Sequence, residues 1–370
     1  MDASRLYILV TFVVSAACGF ASIPFIVRYC KRKGIVDTPQ KRKVHTVPVP
    51  RLGGACFLPS MGVAAIIALA VFNQEMGVEG KITVNLWACY FVMCLTMIYA
   101  VGFVDDYVGV SAKTKFVVQT AAAAILPLSG LYLNTLYGLF GIHDIPAVVG
   151  MPLTVLVIVF INNAVNLIDG IDGLCASLAL IALGGFIVLF TMNELTVYSV
   201  LIAGLMGVLA SFLFFNVCGK DTKDGYKIFM GDSGSLTVGF ILAFLLVKIS
   251  MARGNAHFAP HNYLLLASTL LTVPCLDVLR VMAARVRHGR PVFDADKNHI
   301  HHKLLRAGLG QRGALITVVS LQALYIAVNV SLCDRLDINV ILIIDIAVWL
   351  LFHAVVNRRI RERGERTFSI

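Results

Sequence analysis

The sequence predicts an all-α, polytopic membrane protein of about eleven transmembrane helices, and three features carry that reading. The 370 residues are 58% hydrophobic and 14% charged, with a mean hydropathy of +0.84, whereas soluble domains hold about a quarter charged residues. Apolar runs long enough to cross a hydrocarbon layer of about 30 Å recur at 6–27, 53–72, 85–104, 116–133, 151–168, 174–192, 196–218, 233–250, 262–282, 314–332 and 338–356. Of the 31 Lys and Arg, 26 fall in alternate connections, at 28–51, 113–115, 220–227, 280–312 and 358–366. By the positive-inside rule those connections are cytoplasmic, which places the N-terminus outside and the C-terminus inside.

The first run continues past the small residues Ser15-Ala16-Ala17-Cys18 and meets a basic stretch, so it reads as a span rather than a cleaved signal peptide. The outer connections carry only Arg5, Lys81, Arg253 and Arg335, with Lys248 closing a span. The longest early outer connection, 134–150, is rich in Gly and Pro and is expected to form a turn or hairpin over the outer face. No repeat, linker or low-complexity tract divides the chain. It reads as one membrane-embedded domain over 1–370, with 357–370 a basic cytoplasmic tail. The formal charge of +10 reflects topology first and attraction to anionic lipid or phosphate second, and no nucleic acid is expected as a partner. Nine cysteines, an odd number lying mostly in or beside spans, read as small apolar residues rather than a disulfide framework.

The inner connections hold nearly every acid, amide and histidine cluster. Asp105-Asp106 closes the third run; adjacent carboxylates repel unless a cation or donors neutralise them, but the pair alone also fits a helix leaving lipid. Nearby, Lys113 and Lys115 are either positive-inside residues or phosphate contacts. The stretch N-N-A-V-N-L-I-D-G-I-D-G-L, 162–174, is more informative. Asn166, Asp169 and Asp172 are each three residues apart, so a helix would place both acids on a face with Asn166; Asn163 stands one step earlier. Gly170 and Gly173 leave room for a ligand beside each acid, and a simple turn explains one Asp-Gly pair, not two. In F-M-G-D-S-G-S, Asp232 opens the eighth run between glycines, as a helix cap or as a ligand. Phe229 could stack on a base there, and Asn216 ends the preceding run. In N-H-I-H-H-K-L-L-R, His299, His301 and His302 sit with Lys303 and Arg306. No Cys/His pair at ligand spacing accompanies them, so a phosphate-binding loop explains them better than zinc. Together the acids and amides call for a hard divalent cation, Mg²⁺ with Mn²⁺ as a substitute, facing a basic anion loop. That pairing suits phosphoryl transfer between a nucleotide and a lipid. A secondary transporter would instead carry its polar groups near mid-span on broken helices.

Asp105-Asp106, N-x-x-N-x-x-D-G-x-D-G-L, F-M-G-D and H-I-H-H span about 200 of the 370 residues in the order found in the polyprenyl-phosphate N-acetylhexosamine-1-phosphate transferases, a family this chain resembles, with a topology that matches along the chain. The H-I-H-H-K-L-L-R-A-G stretch looks like the branch that moves N-acetylglucosamine-1-phosphate from UDP-GlcNAc to undecaprenyl phosphate. The UDP-MurNAc-pentapeptide branch typically has three consecutive histidines where Ile300 stands here, and UDP-GalNAc is a further alternative donor. The resemblance implies that Asp232 and Asn166 bind Mg²⁺. It implies that Asp172, Gly170 and Asn216 contact uridine, with Phe229 on uracil, and that Asn163, Asn166 and Asp169 belong to the same site. Asp105 and Asp106 would face the lipid phosphate, with Lys115 as a phosphate contact. His299, His301, His302 and Arg306 would hold the sugar and pyrophosphate. His45 and Arg51 fall where the family places a basic contact. A bacterial inner-membrane location, a cytoplasmic active site, membrane lipid and a second copy of the chain as partners are implied in the same way.

Overall fold

The computed structural model describes residues 3–38, 48–76, 86–220, 222, 225–251, 263–291 and 298–365; His45, Lys81 and Arg253 lie outside them. Thirteen helices follow in order among the described residues: α1 (Ala3–Lys33), α2 (Phe57–Met76), α3 (Leu86–Val108), α4 (Ala112–Ile125), α5 (Ala147–Ile168), α6 (Leu174–Met192), α7 (Thr196–Cys218), α8 (Gly231–Ser250), α9 (Tyr263–Thr269), α10 (Thr272–Arg287), α11 (Ile300–Arg306), α12 (Gln311–Leu332) and α13 (Ile338–Glu362). Two two-residue strands, β1 (Val36–Asp37) and β2 (Val49–Pro50), pair antiparallel. The chain is thus nearly all helical and crosses the membrane many times.

Nine helices among the described residues are long and apolar enough to cross a membrane, or ten if the bent pair α9 and α10 forms one span. The fourth expected span is only 14 residues of α-helix, started by the Ser111 side chain on Thr114 N–H and continued as a 3₁₀ turn over Leu126–Ser129. Pro127 lies in that turn and cannot donate to an α-helical ladder. The ninth run bends by 74° between Thr269 and Thr272, a break that leaves backbone groups unpaired in an apolar interior. Gln322 of α12, fully buried, fills both valences at once: its Oε1 accepts from Val273 N–H at 3.0 Å and its Nε2 donates to Thr269 O at 2.8 Å.

The core is built around α8, whose apolar window is 94% buried, against 22–61% for the other spans. It packs on α3, α5, α6 and α9. Gly102 lets α3 lie directly on it, since a Cβ there would stand 2.7 Å from Asp232 O and Ser233 N. The connection 134–150 forms a hairpin, with a Thr135–Asp144 bridge and Leu136 N–H on His143 O at 2.8 Å. All nine cysteines are free thiols.

The alternate connections converge on one end of the bundle. Lys31 at the end of α1 donates to Thr222 O at 3.0 Å and to Gly225 O. A Cβ at Gly308, just after α11, would run into Arg363 at the end of α13. Replacing Gln322 by Leu should strip two buried backbone groups of their partners and cost about 2–5 kcal/mol. The expected reading is a clear fall in thermal midpoint in detergent, without loss of helix by circular dichroism at low temperature.

Candidate active site

Four segments meet at this end: the close of α3 and the start of α4 that follows it, the turn between α5 and α6, and the start of α8. The first helical turn of α8 has no side-chain cap of its own, and Asp106 of α3 supplies one from outside. Its Oδ1 accepts from Asp232 N–H at 2.8 Å, and its Oδ2 accepts from Ser233 N–H at 2.9 Å and Ser233 Oγ–H at 2.6 Å. An anion at a helix N-terminus is held by oriented donors and by the dipole. Gly231 makes this possible: at φ 72° its missing Cβ would run into the Asp106 carboxylate and the Arg51 carbonyl. With α8 capped in this way, the Asp232 side chain is free to face the cluster.

Lys115 of α4 stands between two acids, its Nζ 2.6 Å from Asp232 Oδ2 and 3.1 Å from Asp105 Oδ2. Partial burial works against its charge, but Asp232 and Asp105 outweigh it and hold the ammonium pKa above its ordinary value. Asp105 Oδ1 also accepts from Val110 N–H at 2.6 Å. Asn166 donates to Asp232 Oδ1 at 3.1 Å and to Ser235 Oγ at 2.8 Å. Asp169 is exposed at the end of α5; the surrounding protein, then the carboxylates of Asp232, Asp106 and Asp172, push its pKa upward. Carboxylate oxygens of Asp105, Asp106 and Asp232 lie within 4.8 Å of one another. Three donors already occupy Asp106, so the ligands a cation could use are Asp105 and Asp232, with the Asn166 amide beside them. This all-oxygen set fits Mg²⁺, which takes one or two carboxylates and completes its shell with water and substrate phosphate.

The other residues of the Asp-Gly stretch play separate parts. Asp172 pairs with Lys227 at 2.7 Å. Asn216, buried, accepts from Gly173 N–H at 2.6 Å and donates to Ile228 O at 2.8 Å, which clasps the turn to the segment leading into α8. Asn163 donates to Gln119 Oε1 at 2.7 Å. Phe229 is half-buried, and its N–H donates to Pro50 O at 2.8 Å. Arg51, half-buried, has a buried Nε without a partner.

The histidine loop arrives from α10 and α11. Asp277, fully buried, accepts from His299 Nδ1 at 2.8 Å, Ile300 N–H at 3.0 Å and Arg280 at 2.8 Å. Arg280 also donates to Asn298 O, and Arg306 donates to Asn298 Oδ1 at 3.3 Å. This anchor carries His301 over the Asp-Gly turn, where a Cβ at Gly170 would overlap its ring. The His302 ring lies 4.3 Å from that of His301. Burial, then the neighbouring His302, pushes the His301 pKa down to about 3, so near neutral pH it is an uncharged imidazole.

The structure therefore gathers Asp105, Asp106, Lys115, Asn166, Asp169 and Asp232 into one cluster and brings His301 to its edge at Gly170. Asp277, Lys227 and Ser233 are absent from the sequence expectations. Asp277 had a legible signal, an acid inside an apolar run with Arg280 three residues on. Ser233 and Lys227 had none.

The family model described as glycosyl transferase family 4 matches residues 88–250. The chain is 30% identical to a probable undecaprenyl-phosphate N-acetylglucosaminyl 1-phosphate transferase of Bacillus subtilis, over 86% of this chain and 83% of that one. It is 33% identical to the decaprenyl-phosphate N-acetylglucosaminephosphotransferase of Mycolicibacterium smegmatis, over 78% and 72%. It is 27% identical to the undecaprenyl-phosphate alpha-N-acetylglucosaminyl 1-phosphate transferase of Escherichia coli K12, over 83% and 78%.

Two substitutions separate holding from chemistry. Asp106→Ala removes three bonds to the start of α8 and should lower stability by about 3 kcal/mol, read as a falling denaturation midpoint. Asp277→Asn leaves Arg280 without its buried counter-charge and loosens His299. Limited proteolysis should then cut near residue 298 faster, with the overall midpoint changing less than for Asp106→Ala.

Proposed function

The chain belongs to glycosyl transferase family 4, and on that premise we propose that it moves N-acetylglucosamine-1-phosphate from UDP-GlcNAc to undecaprenyl phosphate. UMP leaves and undecaprenyl-diphospho-GlcNAc remains, the first membrane step towards an O-antigen, a common antigen or a teichoic acid linkage unit. One observation carries this reading: an acid, amide and lysine cluster meets a histidine loop at one end of an apolar bundle. The donor sugar is supported by the names of the relatives. Ile300, which distinguishes H-I-H-H, is fully buried and anchors the loop rather than facing a sugar. The concentration of Lys and Arg in the connections at this end supports a cytoplasmic site in a bacterial inner membrane.

The chemistry follows from charge. A phosphate monoester has a second pKa near 6, so the lipid phosphate is already mostly dianionic at neutral pH and needs little help from a base. It attacks the β-phosphorus of the nucleotide sugar, and one phosphoanhydride replaces another without ATP. The protein's task is to bring two anions together and hold them in line. Lys115, poised between Asp105 and Asp232, is a cation within reach of an incoming phosphate. Neutral His301 offers a hydrogen bond without adding charge, and Arg306, tied to Asn298, offers a guanidinium for pyrophosphate oxygens. Asp106 reaches no substrate here; it fixes α8 so that Asp232 keeps its place. Mg²⁺ held by Asp232, Asp105 and Asn166 would neutralise the pyrophosphate.

Purified full-length protein with Mg²⁺, undecaprenyl phosphate and a panel of UDP-sugars should release UMP with UDP-GlcNAc alone, and only when lipid and metal are both present. Asp232→Asn should lower that rate by at least about a hundredfold. Release with UDP-GalNAc or UDP-MurNAc-pentapeptide instead would reassign the donor. Label from β-³²P nucleotide sugar retained on protein without lipid would contradict direct attack, and transport without UMP release would contradict an enzyme.

A further inference from the structure

One face of α13 carries polar residues whose hydrogen-bonding capacity the fold leaves partly unfilled and the reaction does not draw on. Asp345, Trp349, His353 and Asn357 are each four residues apart, so they line a single face. They are only 7%, 4%, 1% and 8% exposed, and each has a buried polar atom without a partner: Asp345 Oδ1, Trp349 Nε1, His353 Nε2 and Asn357 Oδ1. Asn329 of α12, fully buried, donates to Asp345 Oδ2 at 2.9 Å and to Thr269 Oγ1 at 2.9 Å, yet its own Oδ1 is also unpartnered. Buried polar groups without partners are rare singly, and a row of them down one helix needs a common explanation. No Lys, Arg or His among the described residues forms an ion pair with Asp345.

The row ends at the histidine loop. Lys303 Nζ, only 2% exposed as a residue, donates to His353 Nδ1 at 3.3 Å, which leaves the proton of a neutral ring on Nε2, facing along the row. Lys303 is crowded by Arg280 and Asp277 of α10 and by Arg306 of its own helix; burial, then those two arginines, brings its pKa down to about 7. The same Arg280 and Asp277 face His353 from α10, while Asn329 and Tyr325 of α12 face Asp345. At a rise of 1.5 Å per residue, successive side chains stand about 6 Å apart, roughly two hydrogen-bond lengths. That gap is the length of a single bridging water.

We propose that this face of α13 is a hydrated proton path inside the bundle, running from Asp345 through His353 to Lys303 of the catalytic loop. In the forward step the Lys303 N–H bond breaks and its proton joins His353 Nδ1. The resulting imidazolium releases its Nε2 proton to water, and water delivers a proton to the Asp345 carboxylate. Charge is conserved, water is the only co-reactant, and the loop beside His301 and His302 loses one positive charge. That the loop is catalytic rests on the transferase reading. The path itself does not.

The chain has two tryptophans, so Trp87→Phe makes Trp349 the sole indole, with its ring centroid 4.5 Å from that of His353. An imidazolium quenches indole emission. In the full chain in lipid nanodiscs, stepwise acidification from about pH 8 should quench Trp349 with a sigmoidal profile as the His353 ring takes up a proton. Adding His353→Gln should remove the titration, and Asp345→Asn should move its midpoint by about one pH unit. A flat profile in Trp87→Phe, or a midpoint that Asp345→Asn leaves unchanged, would overturn the path. A second measurement needs no change in the row: in the same Trp87→Phe protein, the Trp349 indole N–H should exchange with D₂O within minutes if hydrated, and protection over many hours would also overturn it. Neither signal depends on turnover, so failure of the transferase assay and failure of the path are distinguishable.

Discussion

The arrangement depends on a carboxylate set against the start of a helix. Asp106 caps α8 from α3, taking two N–H groups and a hydroxyl that α8 cannot satisfy by itself. The neighbouring residue on each helix then follows: Asp105 beside Asp106, and Asp232 beside Ser233. Gly102 and Gly231 allow the contact by leaving no side chain in the way. A pair of acids adjacent in sequence thus divides its labour. One is consumed in building the site, and the other remains available to it.

Most of the helical architecture was legible because apolar length is a direct consequence of the hydrocarbon layer. The hairpin at 134–150, the free cysteines and the gathering of alternate connections at one end all agree with the sequence. The fourth and ninth spans were not legible in detail. Hydropathy does not register the point where Pro127 ends an α-helical ladder, nor the break that Gln322 repairs from another helix.

The site was legible as residue types and not as roles. Asp232, Asn166 and Asp105 stand together as chemistry-bearing groups, and Lys115, which could be read either as a topology signal or as a phosphate contact, lies at the centre of their charge. Asn216 had the look of a ligand contact, yet both ends of its amide hold backbone. Asp277 anchors the histidine loop from within an apolar run. Such roles depend on which partners lie across the bundle, and spacing along one chain contains no record of them.

The claim that α3 and α8 converge so that Asp105 and Asp232 serve one cation can be tested by anomalous diffraction from crystals grown with Mn²⁺, a substitute for Mg²⁺ that scatters strongly. A single peak within about 2.5 Å of an oxygen from each carboxylate, with the Lys115 ammonium moved aside, is the expected result. A peak on only one of the two acids, or none at this end of the bundle, would contradict it.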